Sequence, residues 1–197
     1  MIHRHYFFDS VRAYLDADKS LNQGQVDGLN LLLAFYEADD PPEGDFDDRM
    51  FAYILATTWH ETAFTCQPIA EYGKGKGKPY GVPDPQTGQT YYGRGYVQLT
   101  WKENYQRQDT KLGLGGRLVA NADLALDPEI AAQILFGGMF DGDFTGKRLV
   151  DFFTVDLTDW YNARTIVNAH DQATTIAGYA EKFLNAISHT FPPPRAA

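Results

Sequence analysis

The sequence predicts a mainly helical domain with one small irregular or β-hairpin lobe, and three observations predict it. Apolar residues recur at spacings of three and four, as at Val26, Leu29, Leu32, Leu33 and Tyr36, which is the period of a helix face. Turn formers concentrate over residues 62–95, where loops and short strands are expected rather than helix. The chain has 197 residues, 44% of them hydrophobic and 14% aromatic, enough to bury a core of its own. The expected organisation is an N-terminal helical segment over 1–45 packed on a main domain over 46–190, with a tail over 191–197.

Taken in order, residues 8–15 suit a short first helix, and Leu21-Asn22-Gln23-Gly24-Gln25 reads as a turn that starts a second. The tract Asp39-Asp40-Pro41-Pro42-Glu43-Gly44-Asp45 ends it in a loop, because consecutive prolines cannot continue a helix and acidic residues favour solvent. A third helix is predicted over 46–61, with Met50, Ile54, Thr58 and Glu61 along one stripe. A carboxylate thus continues the line of a buried face. After the irregular stretch a helix begins near Thr100 and is interrupted by Leu112-Gly113-Leu114-Gly115-Gly116. Asp127 caps and Pro128 opens a helix through Phe136, since proline suits a first turn; Gly137 and Gly138 then weaken it. Short segments follow, one from Thr145 or Gly146 to Phe153 and one from Thr158 to Val167, before a final helix over 171–188 and a Phe191-Pro192-Pro193-Pro194 tail.

Several function classes are disfavoured. Seventeen Lys and Arg against 26 Asp and Glu give a net charge of -9, a field that repels polyphosphate and argues against a nucleic-acid partner. The single Cys66 excludes an intrachain disulfide and an all-cysteine metal site. Residues 1–10 lack the basic segment and apolar stretch of a secretory signal, and no apolar run is long enough to cross a bilayer. The chain is therefore expected to stay in the cytoplasm until something releases it. Phe64 stands where the zinc protease motif begun by His60-Glu61 would need its second histidine, and the other histidines are scattered. The Lys74-Gly75-Lys76-Gly77-Lys78 run lacks the order of a phosphate-binding P-loop. No metal site is expected.

The residues that carry chemistry are His60-Glu61-Thr62, then Glu71, then Tyr91-Tyr92-Gly93-Arg94-Gly95 and Val97-Gln98-Leu99-Thr100. Glu61 falls at the C-terminal end of its helix, where burial and the helix dipole both disfavour a negative charge. Glu71 lies beyond a turn, in a position to face Glu61 across a cleft. Two carboxylates roughly 6.5 to 9.5 Å apart can protonate a glycosidic oxygen and activate water. The alternative is two unrelated glutamates, one ending a core helix and one exposed.

This ordered set, with Asn104-Tyr105 and Ile166-Val167-Asn168, resembles the glycoside hydrolase family 19 chitinases and the related lysozyme-like endolysins of bacteriophages. The resemblance covers roughly residues 46–168 and implies an α+β lysozyme-like fold whose irregular lobe closes a glycan cleft. It implies Glu61 as general acid and Glu71 as candidate general base, with the Thr100 hydroxyl helping to hold the attacking water. Asn104 matches a sugar-binding amide, and Gln98 and Asn168 match polar cleft residues, with helix capping or loop support as the alternative for Asn104 and Gln98. Tyr91 or Tyr92 is expected at a sugar, Arg94 at the second carboxylate or its loop, and His60 near the acid or in the core. Trp59 is expected in the core, and Trp101 is left open. The resemblance further implies inversion at the anomeric carbon; a monomer and no cofactor are expected.

The sequence also departs from the larger plant-type members. The interval from Glu61 to Glu71 is short, their disulfide cysteines are missing, and the loops that lengthen a chitin cleft are reduced. These features point to the compact phage or bacterial branch, whose substrate class is peptidoglycan, cut between N-acetylmuramic acid and N-acetylglucosamine at the bacterial wall or in the periplasm. Chitin or chitooligosaccharide hydrolysis is the nearest alternative, and a noncatalytic glycan-binding protein that retains the fold is the other. The acidic total is awkward beside anionic wall polymers; the lysine run either offsets it locally or is a solubilising loop.

Overall fold

The computed structural model describes residues 2–16, 18–38 and 47–188. Its helices are α1 (Arg4–Tyr14), α2 (Gln23–Ala38), α3 (Asp48–Glu61), α4 (Lys102–Lys111), α5 (Arg117–Ala120), α6 (Pro128–Asp141) and α7 (Ala173–Ile187). Two short strands, β1 (Ile69–Ala70) and β2 (Arg94–Gly95), pair antiparallel with Ile69 opposite Gly95 and Ala70 opposite Arg94. Single 3-10 turns sit at Pro79–Gly81, Ala122–Leu126, Leu149–Asp151 and Asn162–Ile166.

The spine is α3. Every residue from Met50 to Trp59 is buried, so the helix is enclosed on all sides rather than along one stripe. Asp47 starts it by accepting from the Arg49 and Met50 backbone amides, the usual service of an N-cap carboxylate. Helix α7 packs along α3, and α1 packs on α7. Phe183 carries both contacts, with its ring centroid 6.1 Å from Trp59 and 6.3 Å from Phe7. A second, smaller core lies under the lobe, built from Tyr91, Leu99, Tyr105, Leu118, Ala122, Ala125 and Ile134. Helix α6 is shared, giving Ile134 to the small core and Ala131, Leu135 and Met139 to the large one.

The boundaries differ from the sequence expectation in ways that have physical causes. Helix α1 starts four residues earlier than periodicity suggests because the His3 ring caps it, accepting from the Tyr6 amide at 3.2 Å. Helix α6 runs through Gly137 and Gly138 to Asp141. A side chain at Gly138 would lie 2.2 Å from the Phe144 ring, so this glycine admits a packed ring instead of breaking the helix. Gly142, at φ 78°, makes the actual stop. The segments expected up to Phe153 and Val167 are reduced to the single turns at Leu149–Asp151 and Asn162–Ile166. The acidic loop at 39–45, the helix start at residue 46 and the proline tail from 191 lie outside the described residues. Among the described residues no helix is long and apolar enough to cross a membrane, and no group of three or more His, Cys, Asp or Glu is placed to hold a metal ion.

Candidate active site

Glu61 is the last residue of α3, and the turn after it is locked. The Thr62 hydroxyl donates to the Thr58 carbonyl at 2.8 Å and accepts from the Cys66 amide at 3.0 Å. The chain then passes through positive φ at Ala63, Phe64 and Cys66. Helix α2 presses on this turn, since a Cβ on Gly28 would sit 1.8 Å from the Cys66 carbonyl oxygen. The carboxylate itself is held by a residue from the far end of the chain, with Arg164 Nη1 2.5 Å from Glu61 Oε1. Arg164 is 3% exposed and Glu61 17%. Arg164 is fixed in turn by its Nε, which donates to the Asp171 carbonyl at 2.9 Å. His60 is half-buried beside the pair. Burial holds its imidazole below its ordinary pKa, with Arg164 pushing the same way and Glu61 and Asp171 opposing.

Glu71 stands on the lobe, one residue past β1. Its amide donates to the Gly93 carbonyl at 2.8 Å, and the Gly93 amide donates to Oε2 at 3.3 Å. The Tyr80 hydroxyl donates to Oε1 at 3.4 Å. Partial burial and the adjacent Glu71 charge push that hydroxyl up from its ordinary pKa. Gly93 has a second task, because a Cβ there would lie 2.5 Å from Gln98 Oε1. Its absence lets the Gln98 amide reach across and donate to the Ile69 carbonyl of β1 at 3.4 Å.

The stretch from Tyr96 to Asn104 joins the two halves. Tyr96 and Val97 belong to the large core and Leu99 to the small one, so Gln98, at φ 54°, sits on the seam. The Thr100 hydroxyl donates to the Gln98 carbonyl at 2.8 Å, and the Asn104 amide donates to the Thr100 carbonyl at 2.7 Å. With its proton so committed, the Thr100 oxygen presents lone pairs to a ligand. Gln98, Thr100 and Asn104 line a pocket of about 130 Å³ together with Val167. Asn168, the next residue, is exposed; its side chain accepts from the Ala169 amide at 2.8 Å and its own amide donates to Arg164 at 3.0 Å. The pocket therefore borders the segment that also delivers Arg164 to Glu61.

Other expected site residues are held within the lobe. Tyr91 is 4% exposed and Tyr92 8%, which fits a site-supporting role better than direct sugar contact. The Tyr91 hydroxyl donates to the Val119 carbonyl at 2.9 Å, and the Tyr92 ring is covered by the Arg94 guanidinium 3.6 Å from its centroid. Arg94 is buried, donating to Asp123 at 2.8 Å, the Thr90 carbonyl at 2.9 Å and the Tyr105 hydroxyl at 3.1 Å. It braces the strand opposite β1 and so organises the Glu71 loop from behind. Trp59 is in the core. Trp101 is exposed, as is Tyr72 on the same lobe, and it packs edge-on against Tyr80 at 5.1 Å.

Two residues at these carboxylates were not singled out by their spacing, Arg164 and Tyr80. Arg164 had a signal. It is a lone charge between Ala163 and Ile166 in a segment that buries both neighbours, and a buried arginine demands an anionic partner.

Solved structures share this architecture. Chitinase C from Streptomyces griseus superposes with a TM-score of 0.52 at 22% identity, over 97% of this chain and 95% of that one. A family GH19, class IV chitinase from Zea mays does so with a TM-score of 0.51 at 18% identity, over 95% of this chain and 92% of that one. The chain thus has the lysozyme-like fold of the family 19 chitinases, mostly helical with a small two-stranded sheet. In sequence it is 34% identical to an endochitinase of Arabidopsis thaliana over 103 residues, 51% of this chain and 35% of the relative. It is 52% identical to an acidic 26 kDa endochitinase of Solanum lycopersicum over 42 residues, 21% of this chain and 17% of the relative. The match spans about a third and about a sixth of those two proteins' lengths. No protein-family model matches the chain.

Proposed function

We propose that the protein is an inverting glycoside hydrolase acting on β-1,4 bonds of an acetamido-sugar polymer. The observation that carries this reading is the disposition of the two glutamates. One ends a buried helix and is held by Arg164, and the other is fixed on the lobe by Gly93 and Tyr80. The Gln98, Thr100 and Asn104 pocket is tied to both halves. In this mechanism Glu61 protonates the glycosidic oxygen through Oε2, the oxygen that Arg164 does not hold. Glu71 takes a proton from water as it attacks the anomeric carbon from the opposite face, and the Thr100 oxygen helps to hold that water. Gln98, Asn104 and Asn168 offer amides to sugar hydroxyls and acetamido groups. The chemistry needs no metal or cofactor.

Peptidoglycan is the substrate class we favour, with cleavage between N-acetylmuramic acid and N-acetylglucosamine by a monomeric enzyme acting at the wall or periplasm after release. Chitin is the second reading, and the likeness to plant endochitinases supports it. Mass spectrometry of products from purified peptidoglycan and from chitooligosaccharides, comparing the parent with Glu61→Gln, tests both. Muropeptides ending in reducing N-acetylmuramic acid, absent with the variant, are the expected result. Chito-oligomer products alone move the assignment to chitinase. No new reducing ends from either substrate would overturn the hydrolase reading in favour of a glycan-binding protein.

A further inference from the structure

We infer that Lys74, Lys76 and Lys78 form a cationic rim beside Glu71 that binds the carboxylates of the muramyl peptide strand and so selects it over neutral chitin. This rests on the hydrolase reading and concerns what the same cleft recognises. The observation behind it is a local concentration of charge. In a protein of net charge -9, several arginines and lysines are paired, as in Arg4 with Glu37, Arg94 with Asp123, Lys102 with Asp84, Lys111 with Asp141 and Arg164 with Glu61, and Lys74, Lys76 and Lys78 stand together within five residues. The three lysines of this loop are exposed, and among the described residues none forms an ion pair. Three like charges within five residues repel one another, an arrangement that an anionic ligand relieves.

The loop that carries them is built, not slack. Three successive turns close it, with the Lys74 amide donating to Glu71 at 2.9 Å, Lys76 to Gly73 at 2.8 Å and Lys78 to Gly75 at 2.9 Å. Gly75 is buried against the turn at Pro79–Gly81, since a Cβ on Gly81 would lie 2.0 Å from the Gly75 carbonyl oxygen. That same turn brings Tyr80 back to the Glu71 carboxylate. Solubility asks only for polar side chains, whereas this loop ties alternate lysines to the candidate base at both of its ends. Little backbone ordering remains to be done when a ligand binds. Tyr72, almost fully exposed beside Glu71, extends the same edge with an aromatic face. The ligand chemistry follows. A chitin strand carries no charge, while each muramyl residue carries a lactyl carboxyl or the acidic stem peptide built on it.

The test compares the parent with the triple variant Lys74→Ala/Lys76→Ala/Lys78→Ala and with its all-arginine counterpart. Two tetrasaccharides serve as probes: alternating N-acetylglucosamine and N-acetylmuramic acid with free lactyl carboxylates, and chitotetraose. Affinity is measured by calorimetry in a Glu61→Gln background, so that binding is read whether or not turnover occurs. The alanine variant is expected to bind the muramyl probe roughly tenfold more weakly at low salt, the sum of three exposed ion pairs. The gap should close near about 0.5 M salt, chitotetraose should be unaffected, and the arginine variant should bind like the parent. Equal loss for both probes, no loss for either, or no muramyl binding by the parent overturns the inference. Selective loss for a purified teichoic acid, with the muramyl probe unchanged, overturns it too. If instead Glu61→Gln retains full turnover, the catalytic assignment fails while the lysine result still stands or falls by itself.

Discussion

Replacing Arg164 with methionine strips the guanidinium from Glu61 while keeping an unbranched, apolar stem in the site. Arg164 is 3% exposed and Glu61 17%, so the carboxylate left behind has little water to replace its partner. Removing one member of a buried pair costs about 3 to 5 kcal/mol, and the remaining access of Glu61 to solvent places this case near the lower end. The Asp171 carbonyl also loses its donor, worth about 1 kcal/mol. A total near 4 kcal/mol lowers the melting temperature by roughly 8 to 16 °C for a chain of this size. Arg164→Lys recovers only part of this, because one ammonium cannot reach Glu61 and Asp171 with the geometry of a fork. Calorimetric melting of Arg164→Met, Glu61→Gln and the double variant is the assay. In the Glu61→Gln background no charge is stranded, so the same replacement should cost about 2 kcal/mol less. Activity of Arg164→Met should fall at least about a hundredfold, as expected when a catalytic group loses its positioning. An additive double variant, or an Arg164→Met protein that melts and turns over like the parent, would refute the pairing as the organiser of the acid.

Gly28→Ala drives a methyl into the Cys66 carbonyl, a backbone atom 1.8 Å away; a destabilisation above about 3 kcal/mol is expected by chemical denaturation, and a neutral result would show that α2 does not press on the turn after Glu61. His60 has a folded pKa below its unfolded value because burial disfavours its charge, so the unfolded chain binds more protons and stability falls as pH drops through and below about 6.5. Melting curves from pH 8 to pH 5 should show a shallower acid loss in His60→Gln than in the parent, and parallel curves would contradict the assignment. Burial pushes the Cys66 thiol up from its ordinary value, so a thiol reagent at pH 8 should leave the folded protein unlabelled and label it fully in denaturant.

Much of the helical layer was legible because its signals are local. Asp127 acts as a cap, Pro128 opens α6, and the apolar spacing of α2 marks its face. The misses occur where a distant residue decides. Nothing within α6 announces that Phe144 will fill the notch at Gly138, and helix propensity alone argues for a break there. The same division holds at the site. The run Gly93 to Thr100 reads as a connected loop from its glycines and polar residues. Arg164 joins Glu61 across a separation of 103 residues, a contact that periodicity cannot register. The burial of Tyr91 in the small core and the cover of Tyr92 by Arg94 are likewise set by residues distant in sequence or by tertiary packing, not by local pattern.

That small core also explains why the two glutamates come from different kinds of structure. Glu61 inherits its position from α3, whose every side is enclosed, and such a helix end has little freedom to move. Glu71 has no helix beneath it. It depends on two strands of two residues each, braced by Arg94 against Tyr92, Tyr105 and Asp123. Two-stranded ribbons of this length have no stability of their own, so the lobe is held by the small core and by the Gln98 contact at the seam. The chain crosses between the two cores at residues 96–99, with a non-glycine residue, Gln98, at positive φ. A site for inverting hydrolysis needs room for one water between acid and base. At the seam between the halves, the Gln98 side chain reaches the Ile69 carbonyl of β1 because residue 93 has no side chain to block it.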